Sequence, residues 1–204
     1  MLKTERTTVL NFENAVRGVR NPLASWEKSD SRVENGVFLF GEADLKLARH
    51  LCAAGSDHRK FIRQIIVSVD ITAPLYWWKE FDTYKVGTVA NSTSTMHRLH
   101  SREILLSDFS TDRMTPECLK VFSDYVNFIE GVRLEYLESK DKSKWYDLIQ
   151  LLPSSYNQLR TVTLNYENLI NMNYARKNHK LDEWHVFCNW ITTLPYASDL
   201  ILFE

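Results

Sequence analysis

Ala73-Pro74-Leu75-Tyr76-Trp77-Trp78-Lys79-Glu80-Phe81-Asp82-Thr83-Tyr84-Lys85, followed by Gly87-Thr88 and Asn91-Ser92-Thr93-Ser94, is the stretch that decides how this chain is read. Pro74 suits the first turn of a helix, where its missing N–H is not needed. The aromatic helix it opens runs into a loop dense in short hydroxyl and amide side chains. Rigid packing behind small hydrogen-bonding groups is a common way to build a nucleotide or phosphate site. Upstream, Ile65, Val67, Val69 and Ile71 alternate with Ile66, Ser68 and Asp70, so a strand feeds the helix.

Working outward, Glu42 to Ala54 reads as a helix with Leu45, Ala48, Leu51 and Cys52 on one face and Gly55 closing it. Residues 7–40 read as irregular, with a turn-rich element at 17–22 and a short strand at 36–40. Thr115-Pro116-Glu117 is an N-cap, a proline and an acidic residue, and opens a long helix striped by Leu119, Phe122, Val126, Ile129 and Val132. Lys140–Lys144 reads as a charged turn. Helices are expected at 145–152, about 163–176 and 180–193. The fold class is α+β, helices packed on a small mixed or antiparallel sheet, in one domain over 1–204.

At 204 residues, 44% hydrophobic and 25% charged, the chain can bury one sizeable core. A formal net charge of -1 argues against a polymeric nucleic-acid partner, which calls for a basic excess. No apolar run has the length of a membrane span, and the first residues lack a signal-peptide core, so a cytoplasmic protein with no membrane partner is expected. Cys52, Cys118 and Cys188 sit in apolar helical patterns and read as reduced core thiols. The histidines show no metal-ligand spacing, so no metal is expected.

The ordered set of these pieces resembles the flavin-dependent thymidylate synthases (ThyX-like). In that family a strand leads through Gly-Pro into a helix, then Arg-His-Arg, then Ser-x-Asn-Glu-x-Ser-x-Arg-Tyr. Here Val69 to Pro74 supplies the strand and proline, and Thr83-Tyr84-Lys85 stands at Arg-His-Arg. Thr88 stands at the first Ser, Asn91 at the Asn, Ser94 at the second Ser, and Met96-His97 at Arg-Tyr. Later the family runs Leu-Pro, Thr-x-Asn-x-Arg-Ser-Leu, a helix with Asn and Arg, then Ala-Gln-Trp-Glu. This chain has Leu152-Pro153, Thr163 to Leu169 with Asn165, then Asn171, Arg176 and Asp182 to His185. Val16 to Ser25 and Ser56 to Phe61 match two upstream elements.

The resemblance implies FAD, a folate one-carbon donor, a pyrimidine nucleotide such as dUMP, and a homotetramer. It places Asn91, Ser94, Arg176 and Arg20 on the nucleotide, and Tyr84, Lys85, Thr88, His58, Asn165 and Asn171 on the flavin. No residue is assigned a catalytic role. The departures concern charge. Arg-His-Arg has become Thr83-Tyr84-Lys85 and the loop Arg has become Met96, so one of four positions stays cationic. A lost charge-assisted hydrogen bond costs roughly 1.5–3 kcal/mol. His58, Arg59, Lys60, Arg63, His97 and Arg98 are the available replacements. Two readings stay open: a methyltransferase with altered one-carbon chemistry on a pyrimidine nucleotide, or a catalytically inactive nucleotide-binding or interaction protein on the same scaffold.

Overall fold

The computed structural model describes residues 2–203. In chain order the elements are β1 (Lys3–Leu10), α1 (Phe12–Val19), β2 (Arg32–Glu34), β3 (Val37–Leu39), α2 (Glu42–Ala53), β4 (Ile66–Pro74), α3 (Leu75–Phe81), β5 (Val89–Ser92), α4 (Thr95–Arg98), α5 (Pro116–Ser139), α6 (Lys142–Gln150), β6 (Asn157–Asn165), α7 (Tyr166–Arg176), α8 (Asp182–Ile191) and α9 (Ala197–Leu200). The class is α+β, with helices in the majority and a small antiparallel sheet. Its four strands run in the order β1-β4-β6-β5, and β2 and β3 form a separate antiparallel hairpin.

The chain divides into two compact units. Among the described residues, the first comprises 2–3, 71–83 and 90–161; the second comprises 4–70, 84–89 and 162–203. The first unit is organised around α5, whose Val126, Ile129 and Val132 pack with Leu99, Ile104, Phe109 and Leu148. Thr115 caps α5 through its hydroxyl, as its spacing predicts. In the same unit Trp77 and Trp78 are both fully buried, with ring centroids 4.9 Å apart. The second unit has an aromatic core in which Phe12 stacks on Phe38 at 5.6 Å and meets Tyr166 edge-on at 5.7 Å.

Several boundaries differ from the sequence expectation. Within residues 7–40, the end of β1 and all of α1 stand where irregular chain is expected. β1 carries Lys3, Glu5 and Arg6 and is largely exposed, so no apolar alternation announces it. α1 buries only Phe12, Ala15 and Val16. Strand β6 is likewise absent from the sequence reading, since Gln158 and Arg160 break its alternation; the helix expected from about 163 starts at Tyr166, where Asn165 caps it. α6 begins at Lys142 because the Asp141 carboxylate accepts the Ser143 N–H at 2.9 Å, turning the expected charged turn into a cap. The polar loop 83–97 contains β5 and the short α4. Cys52 and Cys188 are buried, as core thiols should be, but Cys118 is exposed on α5.

Candidate functional site

The first unit holds an open polar cleft of about 430 Å³, lined in part by Ser94, Arg98, Ser101, Arg102, Asp108 and Tyr156. Thr72 and Thr93 contribute hydroxyls, and Asn157 an amide. Its shape follows from main-chain pinning. Thr93 donates its N–H to the Leu159 carbonyl at 2.9 Å, which fixes the loop before Ser94 to β6. The Gln158 amide donates to the Thr93 carbonyl at 2.7 Å from the same strand. The Ser94 hydroxyl then accepts the His97 N–H at 3.1 Å and opens α4, while the Trp145 indole donates to the Met96 carbonyl at 3.2 Å. Arg98, at the end of that short helix, therefore has a fixed root and an exposed head. Among the described residues its guanidinium makes no hydrogen bond or ion pair.

Arg102 is different. Its two terminal nitrogens donate to the two Asp108 oxygens at 2.8 and 2.6 Å, a bidentate pair. Asp108 also accepts the Leu105 N–H at 2.9 Å. The segment beyond is fastened by a bridge between Phe109 and Tyr156 and by the Ser110 N–H on the Ser155 carbonyl at 2.8 Å. Burial pushes the Tyr156 phenol above its ordinary pKa, with Arg102 pulling the other way; the net rise keeps it a neutral donor. The cleft thus offers two guanidiniums, one carboxylate and several hydroxyl donors. Such a set suits a phosphate ester.

The aromatic helix that opens the sequence reading is spent internally. The first amides of α3 donate to main-chain carbonyls, Leu75 to Tyr156 and Tyr76 to Ser154, both at 3.0 Å. The Trp78 indole donates to the Gln158 carbonyl at 3.0 Å, and Arg160 lies 4.2 Å over the Trp78 ring while pairing with Asp82 at 2.8 Å. This helix is a support, not a ligand surface.

In the second unit, Tyr84, Thr88 and Asn165, three of the residues expected to border a flavin, are hydrogen-bonded to neighbours. Arg176 donates to the Tyr84 hydroxyl at 2.9 Å and stacks 4.8 Å over the Trp184 ring. The Thr88 hydroxyl donates to the Tyr84 carbonyl. Asn165 and Asn168 form a reciprocal cap at the start of α7, and the Asn168 amide donates to the Val86 carbonyl at 2.7 Å. Gly87 allows this approach. Its φ is +76°, and a Cβ there would sit 3.0 Å from the Asn165 amide nitrogen. Lys85 and Asn171 are exposed, and His58 lines a separate cleft of about 420 Å³ with Lys60, Phe61 and Leu51.

The expected nucleotide set is therefore divided. Ser94 lines the first unit's cleft, and Asn91 is exposed on β5 outside its lining. Arg176 is engaged with Tyr84 in the second unit. Arg20 is buried there, with Nε and Nη2 on one Asp44 oxygen at 2.9 and 2.7 Å. Of the six replacement cations, Arg59 is held by Glu167 through two 3.0 Å bonds, and only Arg98 lies beside Ser94 in the cleft. The sequence reading missed Arg102, Asp108, Tyr156 and Asn157. The four-residue spacing of Arg98 and Arg102 was the available signal.

A flavin dinucleotide carries two phosphates, so its site must offer cationic or N–H donors. Of the second-unit residues expected to serve it, Lys85 is an exposed cation and Asn171 an exposed amide, Thr88 donates to the Tyr84 carbonyl, the Tyr84 hydroxyl accepts from Arg176, and His58 lines a separate cleft; Lys85 is the one cation among them that would meet a phosphate. Among the described residues, no group of three or more His, Cys, Asp or Glu side chains is arranged to hold a metal, and no helix is long and apolar enough to cross a membrane.

No protein-family model matches the sequence, and no curated protein matches it. Solved structures do. The flavin-dependent thymidylate synthase ThyX from Helicobacter pylori, complexed with FAD and dUMP, aligns with a TM-score of 0.72 and 17% identity, covering 98% of this chain and 97% of that one. A second crystal structure of ThyX from Helicobacter pylori with FAD and dUMP also gives 0.72 and 17%, over 98% of this chain and 96% of that one. A UMP/dUMP methylase, PolB from Streptomyces cacaoi, bound with 5-Br dUMP, aligns at 0.67 and 14% identity over 99% and 95%. The anticipated strand, aromatic helix, long helix and late helices follow in that order with β5, α4 and β6 added between them, and the chain has the fold of the flavin-dependent thymidylate synthases in a widely diverged sequence.

Proposed function

We propose that this protein binds a pyrimidine nucleoside monophosphate, of the dUMP kind, in the first unit's cleft, with residues 1–204 working as a single domain. The observation that carries the reading is Arg98 standing beside Ser94. The sequence has lost the loop arginine at Met96, and a guanidinium two residues later lines the same cleft as the retained serine. Ser94 and Tyr156 supply neutral donors, and Arg102 a second, partly neutralised cation. Solved proteins of this fold bound to dUMP or 5-Br dUMP support the choice of nucleotide.

Calorimetry with dUMP and deoxyuridine tests this. The wild-type chain should bind dUMP and lose nearly all affinity for the nucleoside. Arg98→Ala should weaken dUMP by roughly 10- to 150-fold, the equivalent of one charge-assisted hydrogen bond. Equal binding of dUMP and deoxyuridine would overturn the phosphate assignment.

The second reading is a methyltransferase that uses FAD and a folate donor as a homotetramer, as the resemblance implies. The FAD in the two ThyX structures favours it; the self-tied Tyr84, Arg176 and Asn165 favour the inactive binding protein. An absorbance spectrum after incubation with FAD and desalting separates them. Flavin bands that co-elute would reverse this preference.

A further inference from the structure

We infer that the cleft selects for a single phosphate group, and that Asp108 is the residue that sets this limit by cancelling one of its two arginines. The inference rests on the nucleotide-binding reading above and extends it to specificity. Arg98 and Arg102 both line the cleft, but Arg102 has both terminal nitrogens on Asp108, leaving one net positive charge. Asp108 is well placed to hold that position. Its side chain is 14% exposed against 57% for Arg102, and the Leu105 N–H and the Phe109–Tyr156 bridge fix the chain around it.

A monophosphate placed on Arg98 has the Ser94 hydroxyl as a neutral donor in the same lining, while the Ser101 hydroxyl is spent on the Arg98 carbonyl at 2.7 Å. A second phosphate at the Arg102 end of the cleft meets a cation that Asp108 already neutralises. It adds negative charge beside the Asp108 carboxylate, and like charges a few ångströms apart in a partly shielded cleft repel by an amount worth roughly tenfold in affinity. Asp108 is in this sense a specificity-determining residue, acting through Arg102.

The test compares dUMP with dUDP, and inorganic phosphate with pyrophosphate, on the full chain by calorimetry and thermal shift. Wild type should prefer dUMP over dUDP and phosphate over pyrophosphate. Asp108→Asn keeps an acceptor for the Leu105 N–H but removes the charge, and should improve dUDP and pyrophosphate about tenfold relative to their monophosphate counterparts. Arg102→Gln, which does not depend on that variant folding, should weaken all four probes and the diphosphates most. Equal affinity for mono- and diphosphates in wild type, or preferences unmoved by both substitutions, would overturn the inference. Should phosphate be preferred over pyrophosphate while dUMP binds no better than phosphate, the charge limit stands and the pyrimidine reading falls.

Discussion

Arg20–Asp44 in the second unit and Arg102–Asp108 in the first are chemically the same pair in opposite settings. The side chains of Arg20 and Asp44 are 8% and 1% exposed, and those of Arg102 and Asp108 are 57% and 14%. Around Asp44 every lone pair is used. Its other oxygen takes the Ser29 hydroxyl at 2.7 Å and the Ser31 and Asp30 N–H groups at 3.1 and 3.2 Å. Arg20 also donates to the Lys28 carbonyl at 3.2 Å. That pair is a structural joint between the start of α2 and the turns after α1. The exposed pair has a carboxylate fixed by its own loop and a guanidinium facing solvent, so it can answer to a ligand. Burial and the number of partners, not residue type, separate an arginine locked into the fold from one left open to solvent.

Paired substitutions would break or sharpen this contrast. Arg20→Met should cost about 3–5 kcal/mol in urea unfolding, because it strands a buried carboxylate. Arg102→Met should change stability by less than about 1 kcal/mol, as for exposed pairs generally. Similar losses in the two variants would dissolve the distinction. A smaller effect is expected from acid. Burial raises the Asp44 pKa, but hydrogen bonds from Ser31, Ser29 and Arg20 outweigh it and hold the carboxyl below its ordinary value. A lowered folded pKa means that the stabilisation is complete above the unfolded value, near 3.9, and is lost as pH falls through the folded one. Unfolding curves between about pH 5 and pH 2 should show this loss in wild type and less of it in Asp44→Asn. Smallest is Asn168→Ala, which removes half of the α7 cap and the tie to Val86. It should cost about 1 kcal/mol and loosen amide protection around residues 84–88 by hydrogen exchange.

The sequence made the order of elements visible where local signals agree. Thr115-Pro116-Glu117 and the alternation through β4 are unambiguous, and both elements stand as expected. β1 and β6 were hidden because a strand with one exposed or polar face need not alternate cleanly, and Arg160 fits β6 by lying over Trp78 and pairing with Asp82. The site was partly legible. Ser94 was expected from its motif and lines the candidate cleft, and Arg98 appeared among six replacement cations, but nothing local chose Arg98. The choice needed Thr93 fastened to β6 and Arg59 already spent on Glu167. Asp108 and Tyr156 are far apart in the chain, and the Phe109–Tyr156 bridge and the bonds of Ser110 to Ser155 and Asn157 bring their segments together.

The placement of the cysteines has a practical consequence. Burial pushes the Cys52 thiol up to about 12 and that of Cys188 to about 11, so neither forms the thiolate that alkylating reagents attack. Cys118 stands exposed near the start of α5. A maleimide dye at neutral pH will therefore mark one position in the native protein, and its fluorescence gives an optical readout without mutating any other residue.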